Sequence, residues 1–377
     1  MRRTPIALRN VLHGRARSFA ALFGVSFAIL LVFMQLGFRS AAERSATLLY
    51  DALDFDLLVC SPQFVFVARS REFPSEELAR ARSVPGVRSA EPLLLGWGEW
   101  RNPATGLGWG MLVVGVDPDV PPFREGRINS LLPALTEIDT ALIDRFSRPE
   151  YGSQEPGARG EISGRRLKLV GRYAVGTGFV AGAAAVTSAR TFHRLFPVIA
   201  PGTASLGLVK LRPGASPEAV AEALSAALAP SAKVLTRAQL SAQERNYWLN
   251  VKPIGIMFSS GVLVAFLVGA VILYQVLSAE VQNRLREYAT LKALGYTDRF
   301  VSSVVFRQAL LFSAVGFVPA CLLSLVIYAL LRREALLPVD MEWQRVVGVA
   351  ALTVAMCLSA TLLAVRKLRR ADPADLF

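Results

Sequence analysis

The chain has 377 residues, enough for two ordinary soluble domains, but with 53% hydrophobic and 19% charged residues it is too apolar to be soluble throughout. Its net charge of +13 would suggest nucleic acid only if spread over a soluble domain; segments 1–17, 279–307 and 366–377 carry +9 of it, while residues 39–253 are near balance with 25 basic and 21 acidic side chains. A nucleic-acid partner is excluded on that ground, and three cysteines and two histidines without ligand spacing argue against a disulfide framework or a zinc site.

Arg2, Arg3, Arg9, Arg15 and Arg17 form a basic segment (1–17) ahead of an uncharged run from Phe19 to Phe38. Such a run covers roughly 30 Å as a helix, the thickness of a bilayer's hydrocarbon core, and predicts a first span over 18–38. A cleaved signal peptide is the alternative, with Ser40 to Ala42 as small residues at the site. The run exceeds the usual length of a signal's apolar region, of about 7–15 residues, which favours an anchor.

Residues 39–253 read as a mixed α+β domain. Strands are expected at Phe55–Val59 and Val87–Leu95, flanking a helix capped by Ser75 with Glu76 and Glu77 in its first turn. A second unit of the same form has a strand at Leu206–Leu211, a helix with Ser216 at N-cap and Pro217 at N1, and a short strand at Lys233–Leu235. The two units are expected to share a sheet. Between them the sequence predicts an inserted β-rich subdomain, with a hairpin turning at Ser163-Gly164 and a short helix stopped by Pro197. Asp117 and Asp119, separated by Pro118, read as turn formers rather than catalytic carboxylates. A capping box of Thr236 and Gln239 starts a helix running through Tyr247 and Trp248, and Pro253 marks a break before the second span.

Uncharged runs predict three further spans at 254–278, 308–331 and 346–365, joined by a loop at 279–307 and a short loop at 332–345, with a tail at 366–377. The basic surplus puts both termini and the 279–307 loop in the cytoplasm by the positive-inside rule, and 39–253 on the opposite side. Small residues recur every fourth position at Gly261, Ala265 and Gly269, at Gly316, Ala320 and Ser324, and at Ala351, Ala355 and Ser359. Such stripes permit close helix contact, either within one chain or across a dimer.

No G-x-x-x-x-G-K-[ST] loop occurs, so the chain does not cradle nucleotide phosphates in that manner. The spans hold no ionisable residue of the kind an ion-coupled carrier uses. The energy for any transport must come from a partner. The loop stretch from Arg284 to Arg299 carries an apolar stripe of Leu285, Tyr288, Ala289, Leu291 and Leu294, with Gly295 suited to end a helix. An amphipathic helix of this kind suits either membrane lipid headgroups or a groove on a cytoplasmic protein.

The run Arg286-Glu287-Tyr288-Ala289-Thr290-Leu291-Lys292-Ala293-Leu294-Gly295 resembles the signature of MacB-type ABC permeases, and Leu368 to Phe377 resembles that family's C-terminus. Phe33-Met34-Gln35-Leu36-Gly37-Phe38, Ala141 to Gly152 and Glu244-Arg245-Asn246-Tyr247-Trp248 are similar to the DevC branch, permeases of the heterocyst-glycolipid exporter type. The resemblance implies a membrane α-helical fold of four transmembrane helices with a large α+β periplasmic domain inserted between the first two, in a bacterial inner membrane. It implies a non-catalytic subunit that binds no cofactor itself, a homodimer paired with a separate DevA-type ATPase that holds ATP and Mg, and contact with a periplasmic membrane-fusion protein and a TolC-like channel. Arg284, Leu285, Arg286, Glu287, Tyr288, Leu291, Lys292, Leu294 and Gly295 would then be the ATPase-coupling element. The functional expectation is export of a lipid, glycolipid or other hydrophobic cargo by mechanotransmission. A non-transporting transmitter of the cell-division FtsX type, activating a cell-wall hydrolase, is the alternative.

Overall fold

The computed structural model describes residues 15–283, 290 and 298–370, with side chains over 22–283, 290 and 303–364. Two compact units share the chain: one comprises residues 1–40, 256–335 and 339–377, the other 41–255 and 336–338.

The first unit is helical. Its long helices are α1 (Arg15–Ala52), which runs on into the second unit, α7 (Pro253–Asn283), α8 (Asp298–Glu334) and α9 (Trp343–Arg370). Among the described residues these four are long and apolar enough to cross a membrane. Helix α1 continues well past residue 38 because 39–52 holds neither Gly nor Pro and is rich in Ala, with Leu48 and Leu49 beside them. The buried core of the unit brings together Ile29 and Phe33, Leu273 and Leu277, Ala309, and Val349 and Ala360. Leu263, Leu267, Val318, Leu322 and Leu362 face outward, the pattern of helices whose surroundings are themselves apolar.

The second unit is α/β. Its strands are β1 (Leu57–Cys60), β2 (Phe73–Pro74), β3 (Val87–Arg101), β4 (Gly108–Val116), β5 (Thr140–Asp144), β6 (Arg159–Ile162), β7 (Arg165–Tyr173), β8 (Ala184–Ser188), β9 (Thr203–Ala204), β10 (Leu206–Leu211) and β11 (Lys233–Thr236). Its helices are α2 (Glu76–Arg82), α3 (Gly126–Asn129), α4 (Ala189–Leu195), α5 (Pro217–Leu228) and α6 (Arg237–Asn246). The main sheet runs β11-β1-β10-β3-β4-β8-β5-β7-β6, and β6 also pairs with β3. The two predicted βαβ-like units therefore do share a sheet, through β1–β10 and β10–β3. The long β3 serves twice: its first half pairs with β10, and its second half with β4 and β6, so that β3, β4, β8, β5, β7 and β6 close on themselves. Closure removes the open edges that a β-rich insertion would otherwise expose.

Period-two alternation assigns the strand faces. Along β4, Leu112, Val114 and Val116 enter one core while Met111 and Val113 enter another. A third core lies between β1, β10 and the first half of β3 on one side and α2 and α5 on the other, around Leu78, Val209 and Leu224. The β6–β7 hairpin turns at Ser163-Gly164 as expected, with φ of 53° and 76° at the two residues.

One predicted cap is overturned. Ser75 occupies the N-cap position of α2 with helical dihedrals, and its hydroxyl makes no cap bond; it donates to Gly202 O at 2.7 Å instead. The hydroxyl is recruited by a neighbouring segment, beside the short β2–β9 pairing. Ser216 and Thr236 cap α5 and α6 as predicted, the latter through a complete capping box with Gln239.

Candidate functional site

The α/β unit is joined to the first two spans by α1 and α6, and inside the unit these two helices are fastened to each other. Arg237, the first residue of α6, donates through Nε to Phe55 O at 2.8 Å and through Nη2 to Tyr50 O at 3.1 Å and to Leu53 O. Its guanidinium stacks over the Phe55 ring at 4.0 Å. The last carbonyls of α1 lack partners within the helix and carry its negative dipole end, so a planar cation with several donors is the side chain that satisfies them. Arg124 adds a bond to Leu53 O at 3.2 Å.

A second fastening lies two turns further along α6. Glu244 is fully buried, and its Oε1 accepts from Tyr50 Oη in the last turn of α1 and from Val67 N, each at 2.8 Å. Burial pushes the Glu244 carboxyl up to about 7, although both hydrogen bonds favour its charged form. Gln243 ties α6 to Val65 O at 3.0 Å. The segment before α2 is thus bound to the same helix face.

After Asn246 the backbone changes period. Residues Tyr247–Val251 form a π-helical turn in which Lys252 N donates to Tyr247 O at 2.9 Å. The predicted α-helix through Tyr247 and Trp248 therefore stops short, and a wider turn carries the chain to Lys252, which is extended. Pro253 then opens α7, the break expected from its missing N–H. Gly255 is required here, since a Cβ would collide with the backbone of Trp248 and Leu249. Phe66 stacks on Tyr247 with centroids 4.3 Å apart and meets Trp248 edge-on at 6.4 Å, and Lys252 Nζ sits 4.9 Å over Phe66.

The coupling residues Arg284, Leu285, Arg286, Glu287, Tyr288, Leu291, Lys292, Leu294 and Gly295 lie outside the described residues. The glycines of the first two small-residue stripes meet partners in the same chain. A Cβ on Gly261 would press on Gln35, one on Gly269 on Met356 and Ala28, and one on Gly316 would come within 3.2 Å of Ser26. Ala265 and Ala320 are buried, as is Ser324, whose hydroxyl bonds back to Ala320 O at 2.7 Å. Ala351 is exposed.

Each of the runs 33–38, 141–152 and 244–248 has a physical role. In 33–38, Phe33 O accepts from Tyr328 Oη, Gly37 leaves room for that ring, and Phe38 stacks on Phe258 at 5.4 Å. In 141–152, buried Asp144 accepts from the backbone N of Phe146, Val175 and Gly176 at 2.9, 3.2 and 2.6 Å. Burial nevertheless raises its carboxyl above the ordinary range. Tyr151 closes the same corner by donating to Gly110 O and accepting, at its backbone O, from Trp100 Nε1 at 2.9 Å. The third run, 244–248, holds the Glu244 fastening and the start of the π-helical turn. Asp117 and Asp119 are exposed, and Asp119 N bonds to Asp117 Oδ1 at 3.1 Å, the geometry of a turn. Glu244 and Arg237 carry little signal in the sequence beyond a glutamate in the stripe Leu240, Glu244, Trp248, which is otherwise apolar.

Comparison with known proteins gives two family matches. The MacB-like periplasmic core domain matches residues 18–227, and the FtsX-like permease C-terminal domain matches residues 259–373. No curated protein matches. Among solved structures, the periplasmic region of MacB from Actinobacillus actinomycetemcomitans is 8% identical, with a TM-score of 0.36, covering 52% of this chain and 96% of that one. The extracellular domain of the noncanonic ABC-type transporter YknZ from Gram-positive bacteria is 12% identical, with a TM-score of 0.32 over 48% of this chain and 99% of that one. A domain of a Porphyromonas gingivalis permease protein is 16% identical, with a TM-score of 0.30 over 49% of this chain and 87% of that one. With the two domain matches spanning most of its length, the chain belongs to the MacB/FtsX-like permease superfamily, multi-pass membrane components of ABC systems that associate with an ABC ATPase.

Proposed function

We propose that this chain is the permease subunit of a tripartite exporter, working as a homodimer of the DevC type with a separate ATPase, a membrane-fusion protein and a TolC-like outer-membrane channel. Its place is the inner membrane, with both termini cytoplasmic, and its cargo is a lipid, glycolipid or other hydrophobic molecule. The chain binds no nucleotide itself; ATP and Mg belong to the ATPase. The observation that carries this reading is the double fastening of α1 to α6 by Arg237 and by the Glu244–Tyr50 pair. Two helices leading to different spans are held together inside the α/β unit, so displacement of either one loads the other.

The uncharged spans fit a mechanism in which force rather than an ion passes through them. In this mechanism the 284–295 segment receives the motion of the ATPase, the spans carry it, and the α/β unit delivers it. Leu291→Asp with Leu294→Asp tests the receiving end. Capture of the cognate ATPase by the folded double variant is expected to fall at least tenfold, and undiminished capture would refute the coupling role.

A further inference from the structure

Two buried side-chain atoms in the joint lack any hydrogen-bond partner: Glu244 Oε2 and Trp248 Nε1. One is an acceptor and the other a donor. Native proteins leave few such atoms unpaired, so each calls for a physical reason. The two residues are four apart in sequence, a spacing that places side chains over one another on an unbroken α-helix. Here the π-helical turn begins at Tyr247, between them. Its extra residue rotates whatever follows by about 100° relative to an α-helical course. Both side chains meet the same segment, Glu244 through Val67 N at 2.8 Å and Trp248 through the edge of Phe66 at 6.4 Å between centroids.

We propose that Tyr247–Val251 is a two-state joint, whose second state absorbs the extra residue into α-helix and lets Trp248 Nε1–H donate to Glu244 Oε2. The change closes both orphaned groups with one bond and turns the residues after Asn246 relative to α6. The π bond from Lys252 N to Tyr247 O is exchanged for a four-residue one. Lys252, stacked over Phe66, Tyr247 and Trp248 at 4.9, 5.8 and 6.0 Å, moves with them.

Ionisation of Glu244 drives this change, because a carboxylate gains far more than a carboxylic acid from a second N–H. The titratable group facing Glu244 from α1 is Tyr50, beside which lies Cys60. From the 61–69 segment the facing group is the Val67 amide. From the π-turn the nearby charge is Lys252, held by the three rings, while Arg237 at the start of α6 is engaged by carbonyls of α1 and Phe55. No cation pairs with Glu244 among the described residues, so in the first state only the bonds from Tyr50 Oη and Val67 N offset the cost of a buried charge. The proposal rests on the reading above for its use in coupling, and on the joint's own geometry for its chemistry.

The test is indole ¹⁵N–¹H spectroscopy of the full-length permease in lipid nanodiscs, with the Trp248 resonance assigned by its loss in Trp248→Phe. The Trp248 N–H is expected to move downfield with a midpoint near 7, and its protection from hydrogen exchange, taken relative to the intrinsic rate at each pH, to rise at least tenfold on the alkaline side. Trp97, Trp100, Trp109 and Trp343 should not titrate with it, and their unchanged resonances in Glu244→Gln show that this variant is folded. Glu244→Gln should abolish the Trp248 titration; Glu244→Asp, shorter by one methylene, should weaken it and serves as the control should Gln not fold. A Trp248 resonance constant from about pH 5 to 9, or one that still titrates in Glu244→Gln, would overturn the proposal. The permease is measured without its ATPase, so a negative result leaves the coupling segment standing, and loss of ATPase capture leaves the joint standing.

Discussion

Replacing Glu244 with Gln removes a titration from the centre of the α/β unit while keeping the shape and the acceptor that Tyr50 Oη and Val67 N use. In the folded protein burial raises this carboxyl from the ordinary 4.5 to about 7, so the folded state holds its proton more tightly than the unfolded chain. The sign follows from linkage: stability is greatest at low pH and declines as pH rises through the interval between those two values, then levels off. A shift of that size corresponds to about 3 kcal/mol at full ionisation, an upper figure if Trp248 moves to meet the charge. For a unit of this size such a loss lowers the melting temperature by roughly 6–12 °C. Glu244→Gln should therefore melt close to the wild type at pH 5 and several degrees above it at pH 8, in thermal scans of the purified full-length protein in detergent. A Gln variant that is equally destabilised at both values, or that keeps the wild-type pH dependence, would show that Glu244 is not the titrating group.

Three further outcomes follow from particular contacts. Arg237→Met leaves the carbonyls of Tyr50 and Phe55 without their cation and Leu53 O with Arg124 alone, and should cost about 2–4 kcal/mol in denaturant titrations, more than the loss of an exposed arginine. Gly255→Ala forces a Cβ into the Trp248 and Leu249 backbone; hydrogen exchange of the amides at 249–252, 254 and 255 should accelerate at least tenfold while β4 and β8 stay protected. Gly269→Leu drives a side chain against Met356 and Ala28 in the helical unit, and should lower thermal stability in detergent where Gly348→Leu, at an open position, does not.

The spans were legible because length and lack of charge suffice to define them, and the caps at Ser216 and Thr236 because a few adjacent residues build each one. The shared sheet was legible from two strand–helix units of the same form. Closure of the strands was not, since it depends on β3 being long enough to pair with β10 at one end and with β6 at the other, a non-local property with no local pattern. Ser75 misled for a similar reason: its residue type fits a cap, but Gly202 O competes for the hydroxyl. The π-turn has no residue signature, because it is defined by where Lys252 N finds a carbonyl. Glu244 stood in plain view within a resemblance-bearing run, and only burial distinguishes it from a solvated glutamate such as Glu218.

The export role is tested most directly by purification of the intact complex from its native membrane in mild detergent, with mass spectrometry of its partners and bound lipid. Two copies of this chain should be recovered with an ABC ATPase and a membrane-fusion protein in stoichiometric amounts. Recovery with a cell-wall hydrolase in place of the fusion protein, or without any ATPase, would contradict it.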